Sequence, residues 1–201
     1  MKISKKITLL PLLVIFASCN LFSCKDSSKH NKKEFENTNI LSMEDMPNEN
    51  TKYDTIRTTN ITDNYKLISF LKSKLEIADF TFEERESRGG FSYNNCEENR
   101  ITLIHGDGIR EYFARSRRPE KGTKNFYPDF VILVYEFPTN EIASQNGEIL
   151  EKALNSAGEF CNGKTPEKIV TNGNEIFHLS TRAEMFRTYT EKYGEMIKNY
   201  R

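Results

Sequence analysis

The chain has 201 residues, 37% hydrophobic and 29% charged, with 10 glycines and 6 prolines. Those proportions exclude a collagen-like or low-complexity fibre and a multi-span membrane protein. Lys and Arg number 29 and so do Asp and Glu, so the neutral chain has no long-range field for a polyanion, which excludes a strongly basic nucleic-acid binder.

The first signal along the chain is Lys2, Lys5 and Lys6 ahead of an apolar run from Ile7 to Ala17, broken only by Thr8 and Pro11. A transmembrane helix needs about 20 apolar residues and a secretory hydrophobic region about 7 to 15, so the run predicts export rather than a span. It closes in Phe16-Ala17-Ser18-Cys19, and Leu21-Phe22-Ser23-Cys24 follows. This start resembles a bacterial lipoprotein signal, in which a peptidase cuts before a cysteine that carries a diacylglyceryl group. The pattern asks for an aliphatic residue three places before the cysteine and small residues at the next two. Cys19 has Ala17 and Ser18 but the aromatic Phe16; Cys24 has Leu21 but the bulky Phe22. The resemblance implies a signal peptide over residues 1–18 and acylation of Cys19, with Cys24 as the alternative. It also implies a domain anchored to a cell-envelope membrane, periplasmic or at the cell surface, by fatty chains such as palmitate. Buried acyl CH₂ groups contribute about 0.8 kcal/mol each, so two or three chains on one residue make a lasting anchor where one does not. The competing reading is an ordinary secretory signal or an uncleaved anchor.

Residues 19–60 read as a flexible polar tether. From Lys25 to Asn60 the chain is rich in Lys, Asp, Glu, Asn, Ser and Thr, and Ile40, Leu41, Met43, Met46 and Ile56 follow no sustained period. Such a stretch buries too little apolar area to offset its ordering entropy.

Residues 61–201 suit one domain with a single core. Its two cysteines, Cys96 and Cys161, are expected to pair in an oxidising compartment, closing a long loop. Neither has the CxxC or Cys-His spacing of a metal site.

Three helices are predicted by period. Asp63 caps the first, with Leu67, Ile68, Leu71 and Leu75 on one face. Thr139 caps the second, which carries Ile142, Ala143, Ile149, Leu150, Ala153 and Leu154 and is weakened in its middle by Gly147. Thr181-Arg182-Ala183-Glu184 fits a capping box ahead of Phe186, Tyr189, Tyr193, Met196, Ile197 and Tyr200, a helix that closes the chain.

The run Phe130 to Phe137 predicts a central strand buried on both faces. Asn172-Gly173 between Ile169-Val170 and Ile176 to Leu179 predicts a hairpin. Ile101 to His105 is a further strand, which Gly106-Asp107-Gly108 turns into Ile109 to Ala114, a segment that fits a strand or a helical face. Phe80 to Glu84 and Phe91 to Tyr93 read as an outer hairpin around Gly89-Gly90. The sum is an α+β domain: a mostly antiparallel sheet with about three helices packed on one face. Gly106-Asp107-Gly108 lacks the third glycine and the helix start of a dinucleotide loop, so no cofactor is expected.

Catalytic chemistry is thinly supplied. His105, Asp107 and His178 could hold a metal for a small envelope hydrolase, but they leave such a site short of ligands, and strand-end histidines are commonly satisfied within the fold. No Gly-x-Ser-x-Gly elbow occurs. The carboxylate pairs Glu83-Glu84 and Glu97-Glu98 point to opposite faces if they lie on strands. The concentration of charge is Arg110, Arg115, Arg117, Arg118, Lys121 and Lys124, opposed by Glu111 and Glu120 and interleaved with Tyr112, Phe113, Phe126 and Tyr127. Such a segment can grip phosphate or carboxylate groups. The expected function is a membrane-anchored, non-enzymatic binding or accessory module for an anionic envelope component or protein, with no nucleic acid. The metal-dependent hydrolase and a lipoprotein immunity protein against a toxin are the alternatives.

Overall fold

The structure, a computed structural model, describes residue 41 and residues 45–61, 65–87, 89–156, 161 and 165–201. Cys19, Cys24, the signal segment, the greater part of the tether and the Asp63 cap lie outside the described residues. The compact unit that holds the described residues spans Asn39–Arg201.

The element order is β1 (Lys52–Thr58), α1 (Tyr65–Ile77), β2 (Phe80–Arg85), β3 (Gly90–Asn95), β4 (Arg100–Gly106), β5 (Ile109–Ser116), β6 (Asp129–Glu136), α2 (Asn140–Leu154), β7 (Glu167–Asn172), β8 (Glu175–Ser180), a short 3₁₀ turn (Glu184–Phe186) and α3 (Arg187–Lys198). Five strands form one sheet in the order β2-β5-β6-β8-β7, and three form a second in the order β1-β4-β3. Every pairing is antiparallel except β1 with β4. The domain is α+β, with the last helix packed on the large sheet.

Alternation along β6 divides the core. Phe130, Ile132 and Val134 point to one face, where Leu67, Ile68, Leu71 and Leu75 of α1 and Tyr193 and Ile197 of α3 cover them. Leu133, Tyr135 and the following Phe137 belong to the other side, beneath Ala143, Leu150 and Ala153 of α2 and beside Ile56, Tyr93 and Ile104 of the small sheet. The large sheet is therefore the middle layer. Helices lie on both of its faces rather than on one, because β6 carries apolar side chains on both faces from Phe130 to Tyr135.

Several expectations are corrected in detail. The tether ends earlier than residue 60: Lys52–Thr58 is β1, paired in register with Arg100–Gly106. This strand is polar because only Ile56 and Thr58 are buried. Phe80–Arg85 and Gly90–Asn95 do not form a hairpin, since β2 pairs with β5 and β3 with β4. Nor do β4 and β5 pair, because the chain crosses from the small sheet to the large one at Asp107-Gly108. The glycines there serve close approach: a Cβ on Gly108 would lie 2.7 Å from the Thr59 backbone, and Gly106 adopts φ 130° against Thr58.

The capping box does not form. Thr181 Oγ1 donates to the Asp129 carbonyl at 2.6 Å, and the α-helix starts only at Arg187. Thr139 does cap α2, accepting from the Ile142 amide. The Cys96–Cys161 disulfide is formed, with Cα atoms 5.8 Å apart, and ties the turn after β3 to the segment after α2.

Candidate functional site

The basic segment straddles β5 and the loop 117–128 that leads to β6. Loop hydrogen bonds fix it: the Ser116 amide donates to the Pro128 carbonyl, Arg117 N to Asp79 O, Glu120 N to Phe126 O, and Thr123 N to Glu120 O. Ser116 Oγ accepts from Arg118 N at 3.1 Å, and the Tyr189 hydroxyl donates to Glu120 Oε2 at 2.8 Å. The loop is thus pinned to the end of the sheet and to α3.

Five of the six predicted cations lie together at this end. Arg117 and Arg118 share Asp79, at 3.8 and 2.5 Å, with their side chains still 61% and 80% exposed. Arg115 sits 5.7 Å from the Tyr127 ring centroid, and Lys121 and Lys124 are exposed. Arg182, which the sequence reading missed, joins them by binding Asp129 at 3.1 Å and the Tyr127 carbonyl at 3.4 Å. A lone arginine after a strand carries no signal of its own; only the pairing of β8 with β6 brings it here.

Arg110 does not belong to this group. It lies five residues before Arg115 on the same strand, so its side chain leaves the opposite face of the sheet. There it ion-pairs with Glu175 and lies 3.8 Å from Glu136, both carboxylates being 1% exposed. Burial pushes the Glu175 carboxyl up to about 7 against the pull of Arg110, and Glu136 beside it pushes the same way. Arg110 is committed to neutralising these two groups and is not offered to a ligand.

His105, Asp107 and His178 do not converge. His105 and Asp107 are exposed, whereas His178 is buried in β8. Among the described residues no three His, Cys, Asp or Glu side chains are placed to hold a metal ion.

His178 instead stands in a buried chain between the two sheets. Its Nε2 lies 2.9 Å from Glu167 Oε2 and its Nδ1 2.6 Å from the Tyr93 hydroxyl, which in turn lies 2.8 Å from the Tyr135 hydroxyl. Thr165 Oγ1 donates to the other Glu167 oxygen at 2.8 Å. Burial opposes ionisation of Glu167, but the hydrogen bond and charge of His178 hold its carboxyl below the ordinary value. Burial, together with Tyr135, raises the Tyr93 phenol well above its ordinary value, and burial also raises Tyr135. Both hydroxyls stay protonated at neutral pH. The partners of His178 lie 11 and 85 residues away, and no sequence pattern could have joined them.

Two cavities flank Glu167. One of about 290 Å³ lies between the sheets against Phe91, Leu133 and His178, and one of about 330 Å³ opens at the basic end beside Phe113, Asp129, Ser180 and Arg182. Tyr93, His178 and Glu167 line the first, and Asp129 and Arg182 line the second. The basic end offers charge at the edge of the sheet. Comparison with protein-family models, curated proteins and solved structures finds no match.

Proposed function

We propose that the protein is a lipoprotein of the cell envelope whose folded domain is a non-enzymatic binding module for an anionic partner. The carrying observation is that residues 115–127 hold five cations, Arg115, Arg117, Arg118, Lys121 and Lys124, against the single carboxylate Glu120, on a loop whose backbone is held by its own hydrogen bonds. A pinned loop loses little conformational entropy on binding, so its charge is available for recognition. Arginine forks and lysine ammonium groups suit phosphate or carboxylate oxygens. Anchoring through Cys19, or Cys24 in its place, rests on the lipoprotein-like start.

The test is recovery of partners from envelope extract by the full chain and by Arg115→Glu, Arg117→Glu, Arg118→Glu combined. Loss of a partner with the charge-reversed chain supports the reading, and unchanged recovery overturns it. A mass spectrum of the mature protein reports the acylated residue. A spectrum in which neither Cys19 nor Cys24 carries an acyl group overturns the anchor.

A further inference from the structure

Three stretches far apart in the chain meet at the basic end of the large sheet: the exit of α1 into β2, the loop between β5 and β6, and the exit of β8 into α3. Each leaves a large apolar side chain in water. Ile77 is 79% exposed, Phe126 53% and Met185 44%. Their common location follows from contacts between the stretches. Asp79, two residues after Ile77, pairs with Arg117 and Arg118, and Arg182 reaches Tyr127 and Asp129. Tyr189, four residues after Met185, reaches Glu120.

The charges around these three side chains are unequal. Asp79 serves two arginines, Asp129 pairs with Arg182, Glu184 with Arg187, and Glu120 accepts from Tyr189. Arg115, Lys121 and Lys124 have no carboxylate within ion-pair distance among the described residues, so the end is net positive. The cavity of about 330 Å³ that opens at this end is lined by Asp129, Ser180 and Arg182 and by none of these three apolar side chains. Exposed apolar groups set among unneutralised cations match a lipid interface, where phosphates accept from ammonium and guanidinium groups and the acyl boundary takes up the apolar tips.

We infer that this end of the domain docks on an anionic lipid surface, with Ile77, Phe126 and Met185 entering the boundary beneath the headgroups and Arg115, Arg117, Arg118, Lys121 and Lys124 on lipid phosphates. This names the anionic partner of the binding module proposed above and rests on that reading. The domain then rests on its membrane by this end rather than hanging from it.

The chain contains no tryptophan, so Phe126→Trp in the full chain reports on this loop alone, even where the N-terminal segment already holds the protein to a vesicle. Vesicles of phosphatidylglycerol and phosphatidylcholine are expected to shift its emission to the blue and to quench it when their acyl chains are brominated. Pure phosphatidylcholine is expected to require at least about tenfold more lipid, since each basic residue near an anionic surface contributes about 1 kcal/mol. A reporter on α2, Ile149→Trp, stays unshifted if this end alone docks, and an equal shift there overturns the orientation. Lys121→Glu with Lys124→Glu, in the Phe126→Trp chain with unchanged circular dichroism, is expected to abolish the response. Emission that ignores anionic vesicles overturns the inference. If it does so while charge reversal still removes a protein from the envelope pull-down, the binding module stands with a protein partner; if both fail, both readings fall.

Discussion

Tyr93 of β3 and His178 of β8 meet hydroxyl to imidazole at 2.6 Å, joining the small sheet to the large one inside the protein. The Tyr93 hydroxyl also meets Tyr135, so its loss strands two buried polar groups at once. Tyr93→Phe is therefore expected to cost about 2 to 3 kcal/mol in urea unfolding, and Tyr135→Phe, which strands one, about 1 kcal/mol. Equal losses from the two changes would show that the chain does not pass through Tyr93.

Glu175 gives the domain a pH dependence of definite sign. Its carboxyl titrates near 7 when folded and near the ordinary 4.5 when unfolded, so between those values the folded state binds more proton. Stability from this group is fully present below about 4.5, falls as pH rises towards 7, and is flat above. The fall is on the order of 3 kcal/mol. Glu175→Gln keeps an acceptor for Arg110 and cannot titrate. Urea midpoints at pH 5 and pH 8 are expected to lie closer together in that variant than in the unaltered chain.

Gly147 lies in the middle of α2, where alanine would ordinarily be favoured by about 1 kcal/mol. Here a Cβ would stand 2.5 Å from Thr171 Oγ1 of β7, closer than real atoms approach. Gly147→Ala is expected to lower stability by about 1 to 3 kcal/mol through overpacking. Adding Thr171→Ala removes the clashing oxygen and is expected to recover part of that loss in thermal melts.

The Cys96–Cys161 disulfide spans 65 residues, and loop-closure entropy assigns it about 4 kcal/mol. Cys96→Ser with Cys161→Ser is expected to lower the unfolding free energy by about that amount. The unaltered protein in reductant is expected to match the double variant.

The elements that were legible in the sequence are those whose residues carry their own period or turn chemistry. Leu67, Ile68, Leu71 and Leu75 mark α1 by spacing, Phe130 to Phe137 marks the central strand by an unbroken apolar run, and Asn172-Gly173 marks the β7–β8 hairpin, where Gly173 takes φ 59°. What escaped depends on partners distant in the chain. β1 is polar because most of its side chains face water, and only its pairing with β4 makes it a strand. Gly106-Asp107-Gly108 has the composition of a hairpin turn, yet its glycines make room for Thr58 and Thr59. At the candidate site the cluster of cations was visible because Arg115 to Lys124 are neighbours in the chain. Strand alternation removed Arg110, and strand pairing added Arg182. The buried His178 chain and the gathering of Ile77, Phe126 and Met185 are products of topology alone.

Strand order also dictates when the protein can become whole. β8 stands inside the large sheet between β6 and β7, although its residues are among the last to be synthesised. Until Glu175–Ser180 has emerged, one side of β6 faces no neighbour, and the most apolar strand of the molecule offers its open backbone to any other chain. A chain arriving amino end first carries this open edge from the completion of β6 at Glu136 until β8 is complete at Ser180. The placement of one late strand thus sets how long the most apolar edge of the sheet stays open.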